Sequence, residues 1–226
     1  MKKILILICL VLCISCGKNK KIVLNSTDVY NEAMKLLENK RYSLAGEKFE
    51  SIEENFVIDK NVNKALVLSA YSYYMGKKYT DSNRIIKIFK EKNLVDENME
   101  YMDYLYIMNN SKLASSTFKS IENSELVYEK SVEFLNNYIN SEYKENVENQ
   151  YYFALNNLAL NELNTARFNI ENHNILGALT HLKNIENKYS NVKDTKILNE
   201  CYFLQIKIYE YLNLNDQVEK YKEKLI

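Results

Sequence analysis

The stretch VYNEAMKLLENKRYSLAGEKFESI, Val29 to Ile52, decides the fold. Val29, Ala33 and Leu36 fall on one face of a first helix, and Ala45, Phe49 and Ile52 on one face of a second. Tyr42 stands at the turn between them, three residues before the small Ala45. A large residue, a small one four later, then Tyr, a small residue and Phe is the spacing of a tetratricopeptide repeat. Small side chains are needed where the two helices approach most closely. Such a hairpin cannot bury its apolar face alone, so it predicts further copies stacked against it.

Further copies follow. In KALVLSAYSYYMGKKYTDSNRIIKIF, Leu66, Ala70 and Tyr73 line a first helix, Gly76 loosens the turn, and Tyr79, Ser82, Ile86 and Phe89 line a second. A third first-helix is predicted over 97–111, with Met99, Met102, Tyr106 and Met108 apolar. Its partner is LVYEKSVEFLNNYI, with Tyr128, Ser131, Leu135 and Tyr138. Between them, 111–123 reads as an insertion, either a binding face or a tolerated surface loop. The fourth pair is a long helix over 146–172 followed by ILGALTHLKNI, with Ala178, Leu182 and Ile185 in register. The fifth is ILNECYFLQIKIYEYL with NDQVEKYKEKLI, where Tyr202, Ile206 and Tyr209 face Val218, Tyr221 and Leu225. The small second-helix positions Ala45, Ser82, Ser131, Ala178 and Val218 recur at unequal intervals, each longer than the ~34-residue consensus. The array is degenerate: an all-α, tetratricopeptide-like helical-hairpin solenoid of about five repeats over residues 28–226.

Composition agrees. The 226 residues include no Pro, no Trp, four Gly and 19 Tyr, so the turn signals of an all-β chain are missing. Acidic and basic residues balance at 30 each, and no global field points to nucleic acid.

The opening MKKILILICLVLCISCG has Lys2 and Lys3 before an apolar run from Ile4 to Ile14. That run is shorter than the ~20 residues a membrane-crossing helix needs and reads as a signal peptide over 1–15. Ser15-Cys16 resembles a bacterial lipobox, with Cys13 where Leu is usual. Cys16 is the candidate lipidation site, and acyl chains on it anchor durably without a membrane span. Gly17 follows where Asp would mark inner-membrane retention, which by that resemblance directs the chain to the periplasmic face of the outer membrane. Residues 16–27 are then the acylated Cys and a basic, flexible tether, with Ser26 or Thr27 capping the first helix. Cys201, the remaining cysteine of the mature chain, lies among Tyr202, Phe203 and Leu204 and reads as a buried thiol.

No catalytic pattern stands out. His173 and His181 carry no metal-binding or acid–base spacing, the single glycines form no phosphate loop, and neither cofactor nor metal is expected. The tyrosine clusters (Tyr71, Tyr73, Tyr74; Tyr101, Tyr104, Tyr106; Tyr151, Tyr152) read as core and groove lining.

The signal with its lipobox and five degenerate pairs resembles the BamD family of outer-membrane assembly lipoproteins. The resemblance runs from Asp28 onward through VYNEAMKLLENKRYSLAGEKFESIEENF, KALVLSAYSYYMGKKYTDSNRIIKIFKEKN, ENMEYMDYLYIM and NIENHNILGALTHLKNIENKYSNVKDT. The chain departs from the family in lacking repeat-closing prolines, with Asn55-Phe56 and Tyr189-Ser190 where an aromatic-Pro pair is common. The resemblance implies a non-catalytic scaffold of the BAM complex. It implies binding to a POTRA domain of BamA, company with other BAM lipoproteins, and reception of the C-terminal β-signals of unfolded outer-membrane proteins. By the same resemblance, Tyr71, Tyr74 and Tyr104 are candidates for the client, and His181, Lys183 and Tyr209 for BamA. The alternative is a periplasmic repeat lipoprotein coordinating peptidoglycan or division factors, like the CpoB family; its coiled-coil start is missing here.

Overall fold

The computed structural model describes residues 25–56, 61–92, 95–115 and 120–225. Those residues form ten helices and no strand. They are α1 (Ser26–Glu38), α2 (Tyr42–Asn55), α3 (Val62–Met75), α4 (Tyr79–Lys92) and α5 (Met99–Ala114). The remainder are α6 (Ser120–Asn137), α7 (Lys144–Glu171), α8 (Ile175–Lys188), α9 (Thr195–Tyr211) and α10 (Asn215–Lys222). Each helix packs on the next in the chain, and α3 also meets α5, α5 meets α7, and α7 meets α9. The five hairpins therefore stack in series, with the first helices of the second to fifth side by side along one wall, as the all-α solenoid reading requires.

The small positions explain the packing. Ala45, Ser82, Ser131 and Ala178 are wholly buried, and Val218 is 5% exposed. Ser82 donates to the Ala70 carbonyl at 2.8 Å, and Ser69 to the Gly46 carbonyl at 2.9 Å. A Cβ at Gly46 would lie 2.9 Å from the Tyr73 ring, so glycine is what lets α2 and α3 meet there. Phe49, Leu66, Ile86 and Phe89 fill the N-terminal core; Leu155, Leu163, Leu182 and Ile185 fill the C-terminal one.

Four hairpins turn the same way. Lys40, Lys77, His173 and Asn213 have φ between 57° and 61°, the left-handed region that usually takes glycine. In each, the next residue's amide reaches back five residues: Arg41 to Leu36, Lys78 to Tyr73, Asn174 to Asn169 and Leu214 to Tyr209, at 2.8–2.9 Å. This is the Schellman closure of a helix C-terminus, built without glycine. Gly76 does not loosen its turn. Its φ is −77°, an ordinary value, and the glycine is there because a Cβ would approach Ser43 Oγ to 3.0 Å.

Three sequence expectations are corrected. The first helix is capped by Asn25, whose side chain accepts from the Thr27 amide at 3.0 Å, one residue ahead of Ser26. The 111–123 insertion is mostly helix, since α5 runs on to Ala114 and α6 begins at Ser120. Burial holds both extensions: Ala114 is 5% exposed, and Ser124 is buried and accepts from Asn157 at 3.3 Å. The last turn of α2, whose adjacent Glu53 and Glu54 read in sequence as a solvated helix end, has Glu53 paired with Lys92 of α4. The signal peptide and Cys16 lie outside the described residues.

A polar seam crosses the middle of the array. Asn109 of α5 donates to Ser82 Oγ at 2.8 Å and Asn83 Oδ1 at 2.9 Å, and Asn83 donates to Asn110 Oδ1 at 3.1 Å. Ser111 continues the line to Gln150 of α7. Asn109 is wholly buried, and Asn110 and Ser111 nearly so.

Candidate functional site: a tyrosine-lined groove

Tyr71 and Tyr74 lie one helical turn apart on α3, and Tyr101 and Tyr104 do the same on the neighbouring α5. Because the two helices run side by side, the four rings share one surface. Tyr79 at the start of α4 and Tyr143 at the start of α7 extend it. The Tyr104 and Tyr143 rings stack at 4.4 Å and 15°. Tyr101 lies 5.9 Å from Tyr143 and 6.3 Å from Tyr104, and Tyr74 lies 5.9 Å from Tyr79. All six are partly buried and partly open.

The surroundings favour the neutral form of Tyr74, Tyr101, Tyr104 and Tyr143. Burial raises the Tyr101 hydroxyl, and the neighbouring Tyr71, Tyr143, Tyr104 and Tyr74 raise it further. Burial likewise raises Tyr74 and Tyr104. At Tyr143, burial is joined by a hydrogen bond to Glu142 and by the charge of Glu100. The patch thus presents uncharged phenols with carboxylates at its margin. It has ring faces and edges for apolar contact and hydroxyls for hydrogen bonds.

Neighbouring tyrosines have other duties. Tyr73 is 3% exposed and donates to Glu50 at 2.7 Å, while Tyr106 sits under the Lys90 ammonium at 5.6 Å. Asp103 braces the groove from behind, accepting from the Tyr138 hydroxyl at 2.8 Å and from Lys90, and so tying α4, α5 and α6 together.

The C-terminal candidates are not brought together. His181 of α8 meets Glu162 of α7 through Nδ1 at 2.7 Å, and Asn184 donates to the same carboxylate at 3.2 Å. Lys183 is exposed. Tyr209 is 6% exposed and stacked on Tyr221 at 5.5 Å, which places its ring in the core of the last hairpin. Sequence reading missed two features. Tyr143 precedes a helix rather than lying on one, so no helical spacing flags it. Phe168, Leu176 and Tyr211 are 64%, 77% and 75% exposed around the last two hairpin turns. Their one signal is apolar residues where a turn calls for polar ones.

Cys201 is wholly buried, and burial pushes its thiol up to about 12 against the opposing Gln205 hydrogen bond. Among the described residues no His, Cys, Asp and Glu cluster is arranged to hold a metal, and no helix is long and apolar enough to cross a membrane.

These features define a tetratricopeptide-like repeat protein whose first helices carry an aromatic groove. The model of the YfiO family, outer membrane lipoproteins, matches residues 24–225, and the chain belongs to that family. It is similar to the outer membrane protein assembly factor BamD of Rickettsia prowazekii, 23% identical over 209 residues, covering 92% of this chain and 82% of the relative. It is also similar to the factor of the same name from Vibrio cholerae, 21% identical over 229 residues, covering 96% and 94%.

Proposed function

We propose that the protein is a lipid-anchored, non-catalytic scaffold of the β-barrel assembly (BAM) complex at the periplasmic face of the outer membrane. It receives unfolded outer-membrane proteins and docks on a POTRA domain of BamA beside the other BAM lipoproteins. Family membership and the two relatives' names support the role, and the tyrosine groove is the observation that carries it.

The chemistry suits a strand-like client. An extended segment presents every second side chain on one side, about 6.6 Å apart. Ring centroids in the groove are spaced 4.4–6.3 Å, so alternate aromatic side chains of a β-signal each find a tyrosine. The BamA contact is assigned to the surface of the last two hairpins that carries exposed Lys183, with exposed Phe168, Leu176 and Tyr211 as apolar anchors and His181 holding α8 to Glu162 of α7. Tyr209 serves that face by closing the last hairpin.

Pull-down from detergent-solubilised envelope tests the reading. A β-barrel protein with POTRA domains is expected, together with unfolded barrel clients. The double variant Tyr104→Ala/Tyr143→Ala is expected to lose clients about tenfold while keeping the POTRA protein, since each aromatic pair contributes on the order of 1 kcal/mol. Recovery of peptidoglycan or division factors alone would replace this reading with the alternative.

A further inference from the structure

The first two hairpin turns form one edge. The turn at 76–78 packs on the start of α2, with Gly76 against Ser43, and Lys78 Nζ reaches Glu47 at 3.2 Å. Lys35, Lys40, Arg41 and Lys77 stand exposed along this edge, and none of their side chains has a partner among the described residues. Three exposed carboxylates lie beside them, but Glu47 is held by Lys78 and Glu32 by Lys48, which leaves Glu38 as the one among the described residues there without an ion pair. Arg41 is the N-cap residue of α2 and offers no side-chain cap, so the first-turn amides add their partial positive charge. The corresponding turns of the last two hairpins, at 172–174 and 212–214, carry no Lys or Arg. A chain with 30 charges of each sign has thus gathered unpaired cations at one end of one edge.

We infer that this edge, Lys35, Lys40, Arg41, Lys77 and the α2 N-terminus, is an electrostatic contact for an acidic phospholipid surface. The inference rests on the lipid-anchor reading of Cys16 and extends it from a point of attachment to an orientation. Residues 17–24 separate Cys16 from the cap of α1 and span about 26 Å when extended. Helix α1, 13 residues long, measures about 20 Å. The tether is therefore long enough to run back along α1 and let the far turn face the membrane that holds the acyl chains.

Two features favour lipid over an acidic peptide. The cations sit on protruding turns with long, unpaired side chains, which suits a plane of mobile headgroups. Leu44, 43% exposed and one turn into α2, stands among them as an apolar group for the interface. Juxtamembrane Lys and Arg gain affinity additively for such surfaces and lose it with salt.

Vesicle sedimentation tests it, using the chain from residue 16 with Cys16→Ser, which cannot be acylated. Binding is expected to phosphatidylcholine vesicles containing about 30% phosphatidylglycerol and not to phosphatidylcholine alone, and to vanish in about 0.5 M salt. Lys40→Glu/Lys77→Glu should lower the partition about tenfold or more, and the isosteric Lys40→Gln/Lys77→Gln pair should lower it less with circular dichroism unchanged. Lys207→Glu, distant on α9, should leave it unaltered. The tether lysines are common to every variant, so the differences report on the edge. No binding by the parent, equal binding by both double variants and the parent, or a photo-crosslinker at position 77 that labels an acidic protein instead of lipid would overturn the proposal. The anchor itself is read separately: the full chain with Cys16→Ala is expected in the soluble periplasmic fraction, and its persistence in membranes without a partner would remove the anchor while leaving the vesicle result standing.

Discussion

Glu50 joins three helices through its carboxylate. It lies on α2 and accepts from the Tyr73 hydroxyl of α3 and from the Arg84 guanidinium of α4, whose second nitrogen reaches it at 3.0 Å. Burial pushes its carboxyl up, but the Arg84 and Tyr73 hydrogen bonds outweigh burial and leave it below its ordinary value of 4.5. A carboxyl lowered in the folded state stabilises the fold above that value, and the contribution disappears as pH falls through the folded one. Glu50→Gln should therefore cost about 1 kcal/mol at pH 7, a modest figure because Arg84 is half exposed and screened. The gap between variant and parent should close below pH 4.5. Urea midpoints across pH check this, and a gap that persists at low pH would show that the site acts through packing alone. The same residue-scale logic fixes Tyr73, whose place in the core follows from Gly46 beneath it rather than from its neighbours in sequence.

At the scale of the helix and its turn, the recurring device is a left-handed residue where glycine is absent. Lys40 and Lys77 bear this cost most, since lysine lacks the local side-chain hydrogen bond that favours asparagine there. Lys40→Gly is expected to stabilise the fold by about 0.5–1 kcal/mol, raising the melting temperature about 2–3 °C. Gly46→Ala should do the opposite, because its methyl would enter the Tyr73 ring; scanning calorimetry of the two variants decides the pair. Both cases show what the sequence made legible. The helices and their small contact positions were readable because Ala45, Ser82 and Ala178 each follow a large residue by three (Tyr42, Tyr79, Ile175) and precede another by four (Phe49, Ile86, Leu182). The turns were readable in place but not in mechanism, because Gly76 stands one residue before the position that takes the positive φ. The 111–123 segment misled because its sequence carries weak apolar periodicity, and only contacts to α7 show 111–114 and 120–123 to be helix ends. Near the groove, Tyr71, Tyr74 and Tyr104 were singled out by the family resemblance, since their helical spacing alone reads as core or lining, whereas Tyr143 needed the chain to return from α6. Tyr209 had the residue type of a contact and the burial of a core ring.

Across the whole molecule, the N-terminal apolar core reaches onto α5 through Met102 and Leu105, and the Asn83–Asn109–Asn110–Ser111 seam follows further along that helix. A cleft of about 520 Å³ opens beside it, with Asn83 and Tyr106 among its walls. Each hairpin meets only its neighbours, so damage at the seam should fade with distance along the array. Asn109→Ala removes the donor that both Ser82 Oγ and Asn83 Oδ1 accept and leaves a gap at a wholly buried position, and should cost about 2 kcal/mol. Amide exchange should then quicken in α4, α5 and α6 and remain nearly unchanged in α9 and α10. Uniform loss over all ten helices would mean one cooperative unit instead. Dispersion contacts hold over a range of small slides, but hydrogen bonds hold at one angle. The join between the second and third hairpins is therefore keyed to one register. Anything laid across the tyrosines straddles that join and meets helices that cannot slide past each other.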